Sequence, residues 1–153
     1  MTLRITHLFA ALLAAFTLSA APALAQADPG EIVRNAAAAM AASADRASNA
    51  IQHSTRDGIA VINRLDDNGA SDRELVAAAR RATGAVNHAA RHGTRHIGLI
   101  AERAAQALRA LEADRSFFAA LAQARRSSSE QVGQSRERGT NAIQAALRAA
   151  LDD

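Results

Sequence analysis

Large apolar residues recur every eleven positions along three separate stretches of this chain. The three series are Met40, Ile51, Ile62, then Leu75, Val86, Ile97, Leu108, and then Leu121, Val132, Ile143. Eleven residues make three helical turns at about 3.67 residues per turn, so each series forms one line along one helix. The pattern therefore restricts these stretches to long α-helices that each carry a single narrow apolar stripe.

The gaps between the series divide the chain into three helices. Ile62 and Leu75 are thirteen residues apart, and so are Leu108 and Leu121. At about 100° per residue, such a step would move the stripe to nearly the opposite face of a continuous helix. A turn in each gap keeps every stripe on the same side of the fold.

Local signals place the turns. Asp67-Asn68-Gly69 favours a helix end, and Ser71-Asp72-Arg73-Glu74 has the form of a capping box that begins the next helix. The second turn is expected near residues 113–116. We therefore predict an all-α fold of three long antiparallel helices in an up-down-up bundle, with right-handed or nearly straight packing. The predicted helices span about 29–66, 71–112 and 116–151.

Three glycines share one position relative to the apolar stripes. Gly58, Gly93 and Gly139 each precede an isoleucine of a stripe by four residues. A glycine inside a helix costs about 1 kcal/mol relative to alanine, so a shared offset needs a reason. We expect these glycines to face a neighbouring helix at close range.

Residues 1–25 have the pattern of a secretory signal peptide. Arg4 and His7 precede the apolar run 8–18, which is too short for a membrane span of about 20 residues. Ala23-Leu24-Ala25 matches a cleavage site, so we expect cleavage before Gln26. The remaining 153 − 25 = 128 residues, 26–153, then form a single helical-bundle domain. The protein is expected to be exported, either to a periplasm or out of the cell.

The composition argues against several classes of partner. All 18 basic residues are arginine against 15 acidic residues, a formal net charge of +3 without a clustered basic excess. A nucleic-acid partner is therefore not expected. Beyond the leader the only aromatic residues are Phe117 and Phe118, and the apolar faces are mostly alanine. Stable membrane insertion after leader removal is accordingly not expected.

Three histidines are the strongest candidates for a functional site, as ligands of a metal ion. His88, His92 and His96 are spaced by four, so adjacent members share one helix face and could bind a metal ion. Reflecting the chain about the Asn68–Gly69 turn puts Asp45 level with His92, as a possible further ligand. The sequence does not require a cofactor, but weakly bound zinc or copper is an alternative at this face.

The chain has no cysteine, no H-E-x-x-H and no phosphate-binding loop, so we do not expect an enzyme. The favoured function is a non-catalytic exported helical scaffold or protein-interaction module that binds a protein partner or itself. A periplasmic metal-binding helical protein using the histidine face is the first alternative. The second alternative is a chaperone-like binder of unfolded chains through an exposed groove of alanine and isoleucine.

Overall fold

The computed structural model describes residues 28–152, which form three α-helices. They are α1 (Pro29–Asp67), α2 (Asp72–Ala110) and α3 (Arg115–Asp152). Each helix packs against both others, and residues 28–152 contain no β-strand. The prediction of an all-α bundle of three helices is confirmed. The predicted leader, residues 1–25, lies outside the described residues.

Side-chain caps begin the first two helices. The Asp28 carboxylate accepts a hydrogen bond of 3.0 Å from the Gly30 N–H, with Pro29 at the first helical position. At the start of α2, Glu74 Oε2 accepts from the Ser71 N–H at 2.9 Å and from Ser71 Oγ at 2.7 Å. These bonds satisfy donors that a helix start otherwise leaves open.

Residues with a left-handed backbone end α1 and α2. Gly69 has a φ of 69°, and Glu112 has a φ of 51°. The Glu112 N–H donates to the Arg109 carbonyl at 3.0 Å, which closes the last turn of α2. Helix α2 therefore ends at Ala110, whereas we expected it to reach residue 112.

The three apolar stripes meet in one seam. All ten of their residues are buried, and none is more than 4 % exposed. The remaining nine buried apolar residues are all alanines, so the seam contains every large apolar side chain of the buried core. Each fully buried Val, Leu, Ile or Met contributes about 1.5–3 kcal/mol, so the seam is the main source of stability.

Three glycines allow the helices to approach closely, as the sequence predicted. A Cβ added at Gly58 would overlap the Cβ of Ala82, and one added at Gly93 would overlap the Cβ of Ala47. A Cβ added at Gly139 would lie 2.5 Å from Thr55 Oγ1. Each glycine therefore faces a neighbouring helix that leaves no room for a methyl group.

The contacting pairs define the register of the helices. Gly58 of α1 faces Ala82 of α2, and Ala47 of α1 faces Gly93 of α2. Both pairs are centred on Ala70. Between α1 and α3, Ser48 contacts Ser135, and Thr55 lies beside Gly139.

Candidate functional site

The three histidines lie on α2 with exposed side chains. His96 Nδ1 is 3.0 Å from Oγ of Ser43, a residue of α1 that is only 4 % exposed. This bond connects α1 to α2, and it also gives the buried hydroxyl a partner, since a buried polar group without one is destabilising. His96 therefore has a structural contact that the sequence did not predict.

Asp45 faces α3 and does not join the histidines in a metal site. Its Oδ1 accepts a hydrogen bond of 2.8 Å from Gln131 Nε2. The expected alignment of Asp45 with His92 assumed a reflection about Asn68–Gly69, whereas the observed pairs are centred on Ala70. The shift of the centre by about a residue and a half moves the facing position on α2 by about three residues.

The proposed metal ligands are therefore not assembled as a set. Within residues 28–152, no group of three His, Cys, Asp or Glu side chains is placed to hold a metal ion. A weak zinc or copper site at the exposed pair His88 and His92 stays a prediction.

Exposed large apolar side chains bear on the chaperone alternative. In the described part of the chain these are Val61, Leu99 and Leu151, one on each helix, and each is between 40 and 44 % exposed. Single apolar residues of this kind are normal on a protein surface, whereas a binding surface for unfolded chains needs a contiguous patch. No observation here favours the chaperone alternative.

A shallow open groove of about 600 Å³ lies between α2 and α3. We call it the α2–α3 groove. Its charged lining consists of Arg91 and Arg95 from α2 and of Arg125 and Arg136 from α3, without an acidic residue. All four arginines are exposed. The only ion pair among residues 28–152 joins Arg34 to Asp28 at 3.4 Å, so no carboxylate of this part of the chain forms an ion pair with an arginine of the groove.

The floor of the groove is narrow and made of small residues. Ala90 and Val132 are buried beneath it. Thr94 and Gly98 lie along its α2 wall, and Ser129 and Gly133 lie along its α3 wall. A Cβ added at Gly98 or at Gly133 would meet no atom within 4 Å. These two glycines therefore face open space, unlike the three that lie against a neighbouring helix.

Sequence reasoning missed this groove. Charges on a helix are usually solvated without a ligand, so nothing in the sequence marks Arg91 as part of a binding surface. Arg91 and Arg136 are 45 residues apart, and only the pairing of α2 with α3 brings them to one groove. The helix glycines outside the shared offset include Gly84 as well as Gly98 and Gly133, so the offset alone does not single out the two that line the groove.

None of the helices in the described region has the length and apolar character that crossing a membrane requires. Comparison of the chain with protein-family models, with curated protein sequences and with solved structures gives no match.

Proposed function

We propose that this chain is a non-catalytic, exported helical interaction module. The observation that carries the proposal is the α2–α3 groove, an open surface on a bundle whose interior is filled by its own side chains. A groove with four arginines and no carboxylate in its lining offers charges that form no ion pair within residues 28–152. Such a surface is suited to binding a macromolecule rather than to enclosing a small substrate.

We infer that the bundle runs up, down and up. The contacts of α1 with α2 move in opposite directions along the two helices, whereas those of α1 with α3 move in the same direction. The connections 68–71 and 111–114 are short, which favours antiparallel neighbours. This topology places α2 and α3 side by side in opposite directions, so the groove runs along both.

We further propose that residues 1–25 are a signal peptide and that the working protein is 26–153, in a periplasm or outside the cell. The support is the short apolar run 8–18 followed by Ala23-Leu24-Ala25. Mass spectrometry of the protein purified from its own organism should give Gln26 as the first residue. An intact leader on the mature pool would contradict export by this route.

A photoreactive amino acid introduced on different faces tests the interaction function. One variant carries it in place of Ser129, in the α2–α3 groove, and the matched variant carries it in place of Gln52, an exposed residue of α1. After irradiation in living cells, we expect a discrete protein adduct that is specific to one face. Absence of any adduct from either variant, with the protein folded and present at its normal level, would contradict the interaction function.

A further inference from the structure

The arginines of the α2–α3 groove form no ion pair with another residue of 28–152. Arg91 and Arg95 are four residues apart on one helix, an arrangement of like charges that destabilises a helix. Arg125 and Arg136 add two further positive charges from the facing helix. With no ion pair to any of them inside residues 28–152, the groove is complementary to a negatively charged partner.

The small residues of the groove repeat a pattern that elsewhere in α3 binds a helix. Ser135 and Gly139 are four residues apart and contact α1, through Ser48 Oγ at 2.9 Å and through Thr55 and Ile51. Ser129 and Gly133 are the same residue types at the same spacing. They lie on a different face of α3 from Ser135 and Gly139, and they line the open groove. On α2, Thr94 and Gly98 repeat the spacing on the opposite wall.

The open glycines strengthen this comparison. Glycine inside a helix is less favourable than alanine. Gly58, Gly93 and Gly139 offset that cost by allowing a neighbouring helix to approach. Gly84, Gly98 and Gly133 have no neighbour within 4 Å of a Cβ position, and of these Gly98 and Gly133 line the groove. A helix seated in the groove would give these two glycines the same role as the other three.

We propose that the α2–α3 groove binds an acidic α-helix of a partner protein. This inference rests on the proposed interaction function and names the chemistry of the partner. The small residues of the floor allow the backbone of the bound helix to lie close to α2 and α3. Its carboxylates, on both flanks of its contact face, pair with Arg91 and Arg95 on one side and with Arg125 and Arg136 on the other.

The probe is a synthetic helical peptide with alanine along one face and glutamate on both flanks. A matched peptide carries glutamine at every glutamate position. Titration of each into the purified protein, followed by fluorescence anisotropy of a label on the peptide, measures the dissociation constant. We expect the glutamate peptide to bind, its affinity to fall as NaCl rises, and the glutamine peptide to bind at least about tenfold more weakly.

Variants of the protein then locate the site. The double variant Arg91→Gln/Arg136→Gln removes one charge from each wall and should weaken binding by about fivefold or more. The control Arg46→Gln/Arg56→Gln removes two exposed arginines of α1 and should leave the affinity unchanged. Gly133→Leu fills the open floor, where no atom lies within 4 Å of the new Cβ, so the fold should persist while the helix is blocked.

Three outcomes of the binding measurements would overturn the inference. The first is that the glutamate peptide fails to bind, and the second is that the α1 control weakens its binding as much as the groove variant does. The third is that sodium polyphosphate binds the groove and Gly133→Leu has no effect on either ligand, which would make the groove a general anion site. Photo-adducts only from the Gln52 position would leave the interaction function standing while excluding this groove as its surface.

Discussion

The glycines of the three helices differ in what a methyl group would meet at each position. At Gly93, an added Cβ would overlap the Cβ of Ala47, which belongs to a short side chain that cannot rotate away. At Gly84, on the same helix, it would meet nothing within 4 Å. The same substitution should therefore have opposite effects at these two positions.

We expect Gly93→Ala to lower the free energy of unfolding by about 1–2 kcal/mol, because strain from overpacking exceeds the gain in helix propensity. Gly84→Ala should raise it by up to about 1 kcal/mol, because only the propensity changes there. Urea unfolding followed by circular dichroism measures both. Equal stabilisation by the two substitutions would show that α1 and α2 are not in close contact at Ala47.

The sequence was informative about glycines only where they align with a stripe. The offset of four residues before an isoleucine correctly identified Gly58, Gly93 and Gly139 as contact positions. Gly98 and Gly133 have no such offset, and nothing in the sequence relates one to the other. Their common location depends on how α2 lies against α3, which is set by the whole fold.

At the level of single helices, the start of α2 depends on a carboxylate. Hydrogen bonds from the Ser71 hydroxyl, and then from the Ser71 backbone N–H, lower the pKa of Glu74 below its ordinary value of 4.5. The folded protein therefore binds a proton at Glu74 less readily than the unfolded chain does. The stability gained from this cap is complete above pH 4.5 and is lost as the pH falls through the folded pKa.

Glu74→Gln should accordingly be less stable than the native protein at pH 7, and the difference should shrink as the pH falls below about 4. Urea midpoints of both proteins at pH 7 and pH 3 provide the measurement. In a Ser71→Ala background, which removes the largest cause of the pKa shift, the pH-dependent part of the difference should be smaller. A difference that stays constant with pH would assign the effect of Glu74 to something other than its charge.

The starts of α1 and α2 were predicted because each depends on neighbouring residues. Asp28 with Pro29 and Ser71 with Glu74 cap the chain locally, so their signal is present in the sequence itself. The pairing of α1 with α2 was displaced by about three residues, because it depends on the backbone path through residues 68–71. Asp45 lies against Gln131 because its position around α1 faces α3, which its sequence position relative to His92 does not reveal.

Across the whole bundle, stability is unevenly distributed. Eleven residues of α2 and nine of α1 are buried, but only five of α3 are. No alanine of α3 is among the buried residues, so α3 is held mainly by Leu121, Val132 and Ile143. The groove on its α2 side is part of this looser packing.

We expect backbone amides in the centre of α3 to exchange hydrogen faster than those in the centre of α2, because local opening of α3 exposes less buried surface. Hydrogen exchange followed by mass spectrometry resolves the three helices separately. Binding of the acidic helical peptide should slow exchange in α3 and α2 more than in α1. Uniform protection of all three helices without the peptide would mean that the bundle opens only as a whole.

The eleven-residue spacing has a further consequence for the length of the molecule. Insertion of eleven residues into each helix returns every following side chain to almost the same angular position, so the interior pattern continues unbroken. Each such insertion lengthens the bundle by about 16 Å at 1.5 Å per residue. The length of the bundle can therefore change in fixed steps of eleven residues per helix, while its cross-section and its recognition surface stay the same.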